Sequence, residues 1–204
     1  VFSEHISQVT TAIKTCSFTM HGKKIVDEEA YDEFITTLKE TKRNKGIVYV
    51  IGNGGSAGIA SHFCVDLTKA IGIPASTLYD SNVMTCLSND LGYETVFSKP
   101  LSLMLHPQDA VIAISSSGKS ENILRAVDVA HEKKAKVISL SGFDEKNPLR
   151  TKGMLNFWID SHQYGIVEMA HMFLLHTIID LWPLHAQKLL QTMNTSYASH
   201  TIKD

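Results

Sequence analysis

Residues 48–66 read VYVIGNGGSAGIASHFCVD, a strand–turn–helix order on which the rest of the chain builds. An apolar, mostly β-branched run over 47–51 breaks at Gly52-Asn53-Gly54-Gly55 and resumes with helical spacing. A strand, a glycine turn and a helix start outline an anion site. Small residues admit a ligand close to the backbone, and free N–H groups with the helix dipole favour negative charge. His62 and Asp66 follow four residues apart, so an imidazole and a carboxylate share one helix face below that site. The stretch suggests a phosphorylated small molecule whose other end meets His62 and Asp66.

Working outward, residues 110–115 (AVIAIS) predict a second buried strand ending in Ser115-Ser116-Ser117-Gly118-Lys119-Ser120, before a helix over 121–134. Hydroxyls and amides at a strand end that opens a helix can surround a phosphate without any arginine. The same composition also makes an ordinary capped turn. Further strands are expected at 75–80, 135–140 and 155–159. Helical patterns cover 81–90, with Ser81 as N-cap, and 166–182, ending at Pro183; Pro100 starts or kinks a helix within 96–105. Ahead of the first strand, Ile6, Val9, Ile13 and Phe18 suggest one amphipathic helix, and Ala30, Phe34, Ile35 and Leu38 a second. Either the sheet's own helices or another subunit must cover them. The tail from about Gln191 is expected to fray. Strands that are apolar throughout and alternate with helices predict a parallel sheet covered on both faces, in one domain. Ligands of such sheets bind outside the carboxyl ends of the strands, where both polar turns lie.

Composition narrows the function classes. The 204 residues suffice for one α/β domain with flanking helices. A formal charge of −2 and three arginines give no basic footprint for nucleic acid. No uninterrupted apolar run approaches the roughly 18 residues of a membrane span, and the first residues lack a signal-peptide pattern. Cys16, Cys64 and Cys86 are scattered, which fits thiols in a reducing cytoplasm. The P-loop pattern is absent. Gly52, Gly54 and Ala57, with Asp80 downstream, fit the loose GxGxxA dinucleotide form, but a second serine-rich strand end is not part of that pattern.

Four blocks carry a family resemblance: GNGGSAGIASHF (52–63), SNDLGYETVFSK (88–99), ISSSGKSENILRA (114–126) and VEMAHMFLLH (167–176). In order and spacing they resemble the motifs of the phosphoheptose isomerases, within the sugar isomerase (SIS) fold family. The resemblance implies a three-layer αβα sandwich around a five-stranded parallel sheet. It divides the chain into an N-terminal helical segment (1–44), an α/β core (45–183) and a C-terminal helix and tail (184–204). It implies a cytoplasmic homotetramer with active sites between subunits and no nucleotide cofactor. The implied reaction interconverts sedoheptulose 7-phosphate and D-glycero-D-manno-heptose 7-phosphate through an enediol, for bacterial surface-polysaccharide heptose. The alternatives are a non-catalytic SIS binding protein of the replication-initiator-associating type and an isomerase of another sugar phosphate.

Carried over by position, Asn53, Gly54, Gly55, Asn89 and Asp90 contact the substrate, and Ser115, Ser116, Ser117 and Ser120 hold the phosphate. His62, Asp66, Glu168 and His176 form the metal or acid–base quartet, an N/O set suited to zinc. Asp66 is the implied base and His176 the opposing acid, with Glu168 able to replace Asp66, whose side chain is one methylene shorter than Glu. Better-known members carry Glu where this chain has Asp66 and Gln where it has Glu168. The link from His62 to Asn89 is about five residues shorter than in the family, and Ala70 beside Lys69 replaces a usual arginine. Glu168 and His176 are eight residues apart, about 12 Å along a helix, so their meeting at one ion needs irregular geometry or two subunits. His171 lies about 140° around the helix from His176 and reads as packing or interface. His5, His21, His106, His131, His162, His185 and His200 read as surface or tail residues, and Cys64 as a core thiol.

Overall fold

The computed structural model describes residues 1–200, with side chains described through His185. Helix α1 (Phe2–Lys14) leads into a hairpin, β1 (Ser17–Met20) and β2 (Lys23–Ile25), then α2 (Asp27–Arg43). The core follows as β3 (Val48–Ile51), α3 (Gly55–Asp66), β4 (Ala75–Ser76), α4 (Ser81–Leu91), α5 (Ser98–Met104) and β5 (Ala110–Ser115). It continues as α6 (Glu121–Glu132), β6 (Lys136–Gly142), α7 (Pro148–Lys152), β7 (Leu155–Ile159) and α8 (Tyr164–His200).

The strands form one sheet in the order β2-β1-β7-β6-β5-β3-β4. The five strands from β7 to β4 are parallel. Strand β1 adds antiparallel to β7, and β2 antiparallel to β1. The expected five-stranded parallel sheet is therefore extended at its β7 edge into a seven-stranded mixed one. The hairpin escaped the sequence reading because β1 buries one residue in four and shows no clear alternation. Its turn uses His21 and Gly22, both at positive φ (49° and 75°), as a two-residue hairpin turn requires. Phe18, expected in a helix, lies in β1, where its ring meets Phe157 edge-on at 5.0 Å.

Alternate strand residues serve opposite faces. Val48 and Val50 join the core beneath α1, α2, α3 and α8; Tyr49 and Ile51 join the one beneath α5, α6 and α7. The result is the expected αβα sandwich. Among the parallel strands the order reverses between β3 and β5, and such a switch point opens a crevice at the carboxyl edge.

Helix α8 does not stop at Pro183, which sits inside it. A proline removes one intrahelical hydrogen bond and strains the preceding turn, but neighbouring residues anchor this helix. Ile178 is fully buried, and beyond the proline His185 Nδ1 lies 2.6 Å from Lys39 Nζ. The His185 side chain is 9% exposed and faces Asp32, so it is not the surface residue expected. The tail expected to fray from about Gln191 is helical backbone to His200. Its side chains, His200 included, and residues 201–204 lie outside the described residues. The Tyr164–His185 portion is long and apolar enough to cross a membrane by length and composition. Here it packs on the sheet through Ile166, Val167, Ala170, Leu174, Leu175 and Ile178, as a core helix does.

His171 is fully buried on that packed face, with Nε2 bonded to the Ser141 carbonyl at 3.1 Å and Nδ1 without a partner. Burial lowers its pKa to about 4, so the ring is neutral and Nε2–H donates. An unfolded histidine titrates near 6.5. Above that pH neither state is charged and the contribution is complete; as pH falls toward 4 the unfolded chain takes a proton that the native one refuses. Stability is expected to drop by about 2–3 kcal/mol between pH 7.5 and 4.5 from this group. Urea unfolding at the two pH values checks it, and His171→Met should remove that share of the pH dependence whatever its own baseline stability.

Candidate active site

Two strand-to-helix turns converge at the crevice. At the first, Gly54 caps α3 with φ 55° and ψ −122°, a conformation open to glycine, and contributes no side-chain cap. Tyr79, which the sequence reading passed over, clamps Gly52: its hydroxyl accepts from the Gly52 amide and donates to its carbonyl, both at 2.9 Å. At the second turn, Ser120 is the N-cap residue of α6, yet its hydroxyl makes no cap bond and instead meets Ser115 Oγ at 3.2 Å. Both helices thus start with amides that no side chain satisfies, the condition under which a helix N-terminus receives an anion. Ser115 Oγ also accepts from the Gly118 amide at 3.2 Å, and Ser117 Oγ from Lys119 N at 3.2 Å.

Between these turns lies a cavity of about 220 Å³ lined by Asn53, Gly54, Gly55, Ser56, Ser115, Ser116, Ser117, Ser120, Tyr164 and Glu168, with Ile114. All four expected phosphate serines and the Asn53–Gly54–Gly55 turn are brought together there. Asn89 and Asp90 are not. They lie exposed on α4, bonded to each other at 2.7 Å, because that helix buries none of its residues against its own chain. Ser56, at the end of the first polar turn, lines the cavity with it; Tyr164 lines it too, and nothing in its local sequence distinguishes it from a helix start.

The quartet divides. His62 Nε2 is 3.4 Å and His176 Nδ1 3.6 Å from Asp66 Oδ2, and the two rings are 5.0 Å apart. Glu168 stays out of this group and occupies the cavity, as eight residues of straight helix require. A Cβ on Gly55 would fall 2.2 Å from Glu168 Oε2, so the carboxylate fills the space that this glycine leaves open over the start of α3. It makes no hydrogen bond with any described residue. Gly55→Ala is therefore expected to displace Glu168 at little structural cost, since the end of a flexible side chain gives way. Activity should fall by about 10²-fold, the effect of an ångström-scale misplacement, with the melting temperature held within a few degrees. Steady-state kinetics and a thermal scan on one preparation check both halves.

The His62–Asp66–His176 group fits a metal. Asp66 Oδ2 is buried without a hydrogen-bond partner, and the ligand atoms lie within 4.8 Å of one another. Tetrahedral zinc with bonds near 2.0–2.1 Å needs neighbouring donors about 3.4 Å apart, close to the 3.4 and 3.6 Å found. Cys64, half-buried, and Cys16 have thiols pushed up to about 12, in both chiefly by burial, and are inert.

Comparison with known proteins matches this architecture. The SIS domain model matches residues 23–142. A phosphoheptose isomerase of Helicobacter pylori is 31% identical over 166 residues, covering 78% of this chain and 85% of its own length. The chain belongs to the phosphoheptose isomerase family. Another member, from Alkalilimnicola ehrlichii, is 35% identical over 156 residues, covering 72% of this chain and 80% of the relative. The solved phosphoheptose isomerase GmhA of Neisseria gonorrhoeae superposes with a TM-score of 0.75 at 28% identity, covering 89% of this chain and 94% of that one.

Proposed function

We propose that this family member is a sugar-phosphate aldose–ketose isomerase that converts sedoheptulose 7-phosphate to D-glycero-D-manno-heptose 7-phosphate, for bacterial surface-polysaccharide heptose. One observation carries the reading. Along helices α3 and α8 a serine–glycine cavity, an unbonded carboxylate within it and a His–Asp–His cluster occur together. A binding module has no use for the last two.

In this reading Ser115, Ser116, Ser117 and Ser120, with the free amides of α3 and α6, hold the phosphate. The Asn53–Gly54–Gly55 turn positions the sugar chain. His62 lies seven residues beyond Gly55, about 10 Å along α3, so an open-chain sugar can reach from the phosphate loop toward the cluster. Glu168 takes the proton from C1 of the ketose to form the C1–C2 enediol and returns a proton to C2. The hydroxyl proton leaves O1 as O2 gains one; in the metal-free site His176 is the acid, and with a metal bound it would be a ligand instead. His62, Asp66 and His176 would hold a zinc ion, which when bound would supply Lewis acidity toward the substrate oxygens. Asp66, already shared between two imidazoles, therefore gives up the base role to Glu168.

The family's homotetramer is part of the proposal, in the cytoplasm. Val65, Met169 and Phe173 are each more than half exposed on α3 and α8 beside the cluster, and α4 is uncovered. A second copy would cover these surfaces and would give Asn89 and Asp90 a cavity to enter. Incubating purified protein with sedoheptulose 7-phosphate, before and after chelation and zinc replenishment, should show aldose formation that His176→Ala abolishes. No turnover while other ketose phosphates react would sink the heptose assignment. No turnover of any sugar phosphate, with ligand affinity unchanged in His176→Ala, would replace the enzyme by a binding protein.

A further inference from the structure

We propose that Asn122 and Tyr93 lock the side-chain amide of Asn53 so that it offers the cavity a hydrogen-bond donor and no acceptor. This makes Asn53 selective for an oxygen that can accept, and Asn122 and Tyr93 positioning residues; the inference rests on reading the cavity as a sugar-phosphate site.

The lock is a closed ring of two hydrogen bonds. Asn53 Nδ2 donates to Asn122 Oδ1 and Asn122 Nδ2 donates to Asn53 Oδ1, each at 2.9 Å. Asn122 belongs to the first turn of α6, just past the phosphate loop, and is 2% exposed. The Tyr93 hydroxyl, reaching in from the short 3-10 turn after α4, donates to the same Asn53 Oδ1 at 3.0 Å. A carbonyl oxygen has two lone pairs and an amide nitrogen two hydrogens. Both acceptor positions of Asn53 are thus filled and one of its donors is used. What remains is one N–H on a residue that lines the cavity.

That remaining group suits the chemistry. During aldose–ketose exchange the oxygens on the reacting carbons pass between hydroxyl and carbonyl and gain negative charge in the enediolate. A donor whose orientation is already fixed stabilises that charge without reorganising, whereas an amide free to turn its oxygen inward would oppose it.

Asn122→Asp tests the lock with little change of shape. The carboxylate still accepts from Asn53 Nδ2 but sets an oxygen against Asn53 Oδ1, which turns the amide away. The expected result is a kcat about 10²-fold lower, the scale for losing one such donor. KM and the dissociation constant of inorganic phosphate should stay within about threefold, since the serine loop is untouched. Tyr93→Phe, at a half-exposed position, should lower kcat by about tenfold and keeps the test alive if Asn122→Asp does not fold. A purely structural role would lower the melting temperature and leave kcat intact; a native kcat in folded Asn122→Asp overturns the proposal. A second readout needs no turnover. The Asn53 NH2 signals, identified by their loss in Asn53→Asp, should show at least one proton shifted from the free-amide position and protected from solvent exchange in wild-type nitrogen-15 spectra. Unshifted, freely exchanging protons overturn the lock. Shifted, protected protons in a protein that turns over no sugar phosphate uphold it and place the failure with the isomerase reading.

Discussion

Glu168→Gln is expected to lower kcat by about 10³-fold while leaving fold and metal content unchanged. Glutamine has the same shape and fits the space over Gly55, and Glu168 makes no hydrogen bond within the described residues that its loss would break. The substitution removes only the capacity to take a proton, and general acid–base groups contribute about 10²–10⁴ in rate. Asp66→Asn should behave differently. It strips the charge from the carboxylate between His62 and His176, so metal content and kcat should fall together. The family resemblance implies that better-known members keep a carboxylate only at the first of these positions, with Glu in place of Asp66 and Gln in place of Glu168. The double substitution Asp66→Glu, Glu168→Gln should therefore recover at least tenfold over the single Gln variant, because a longer side chain at 66 carries a carboxylate toward the substrate. Retention of more than a tenth of wild-type kcat by Glu168→Gln would return the base role to Asp66. Kinetics of the four proteins, with metal analysis by mass spectrometry, decide it.

Gly118→Ala is expected to be the most damaging small change to the fold. Gly118 has φ 62°, and a Cβ there would stand 1.9 Å from Asn147 Oδ1. Asn147 cannot move aside. It is fully buried, accepts from Arg150 N at 3.0 Å, and donates to the carbonyls of Gly142 at 3.2 Å and Asp144 at 2.8 Å. Left-handed backbone at a non-glycine residue costs about 1–2 kcal/mol, and a buried polar group torn from its partners a further 1–3 kcal/mol. A loss of about 2–5 kcal/mol corresponds to a melting temperature lower by roughly 4–20 °C for a chain this size. Phosphate affinity should fall as well, since the Gly118 amide is bonded to Ser115. Adding Asn147→Gly removes the clash while leaving the backbone penalty, so the double variant should recover phosphate binding even if its stability stays low. A Gly118→Ala protein with native melting temperature and phosphate affinity would show that the loop tolerates a side chain and that Asn147 is not its wedge.

Much of the site was legible because its pieces are local. A glycine turn between a buried strand and a helix, and a serine run in the same setting, each announce an anion site through backbone geometry that short-range chemistry determines. The i,i+4 relation of His62 and Asp66 follows from helix pitch alone. The partners of these pieces were less visible. Asn122, Tyr93, Tyr79 and Asn147 act across 27 to 69 residues of chain or from a neighbouring loop, and none has a sequence pattern that announces its partner. The hairpin was missed for a related reason: its strands are three and four residues long, and pairing with β7 rather than alternation holds them.

Strand burial and turn chemistry are written in contiguous residues, so the order of the chain alone carries the α/β sandwich, the two candidate anion-binding turns and the residue types of the proposed catalytic set. How that set divides follows from helix packing. The packing of α8 across α3 brings His176 to His62 and Asp66, and the missing side chain of Gly55 admits Glu168 to the cavity instead. Which carboxylate is free to move a proton depends on the distance between two helices, and no spacing along one chain encodes that distance.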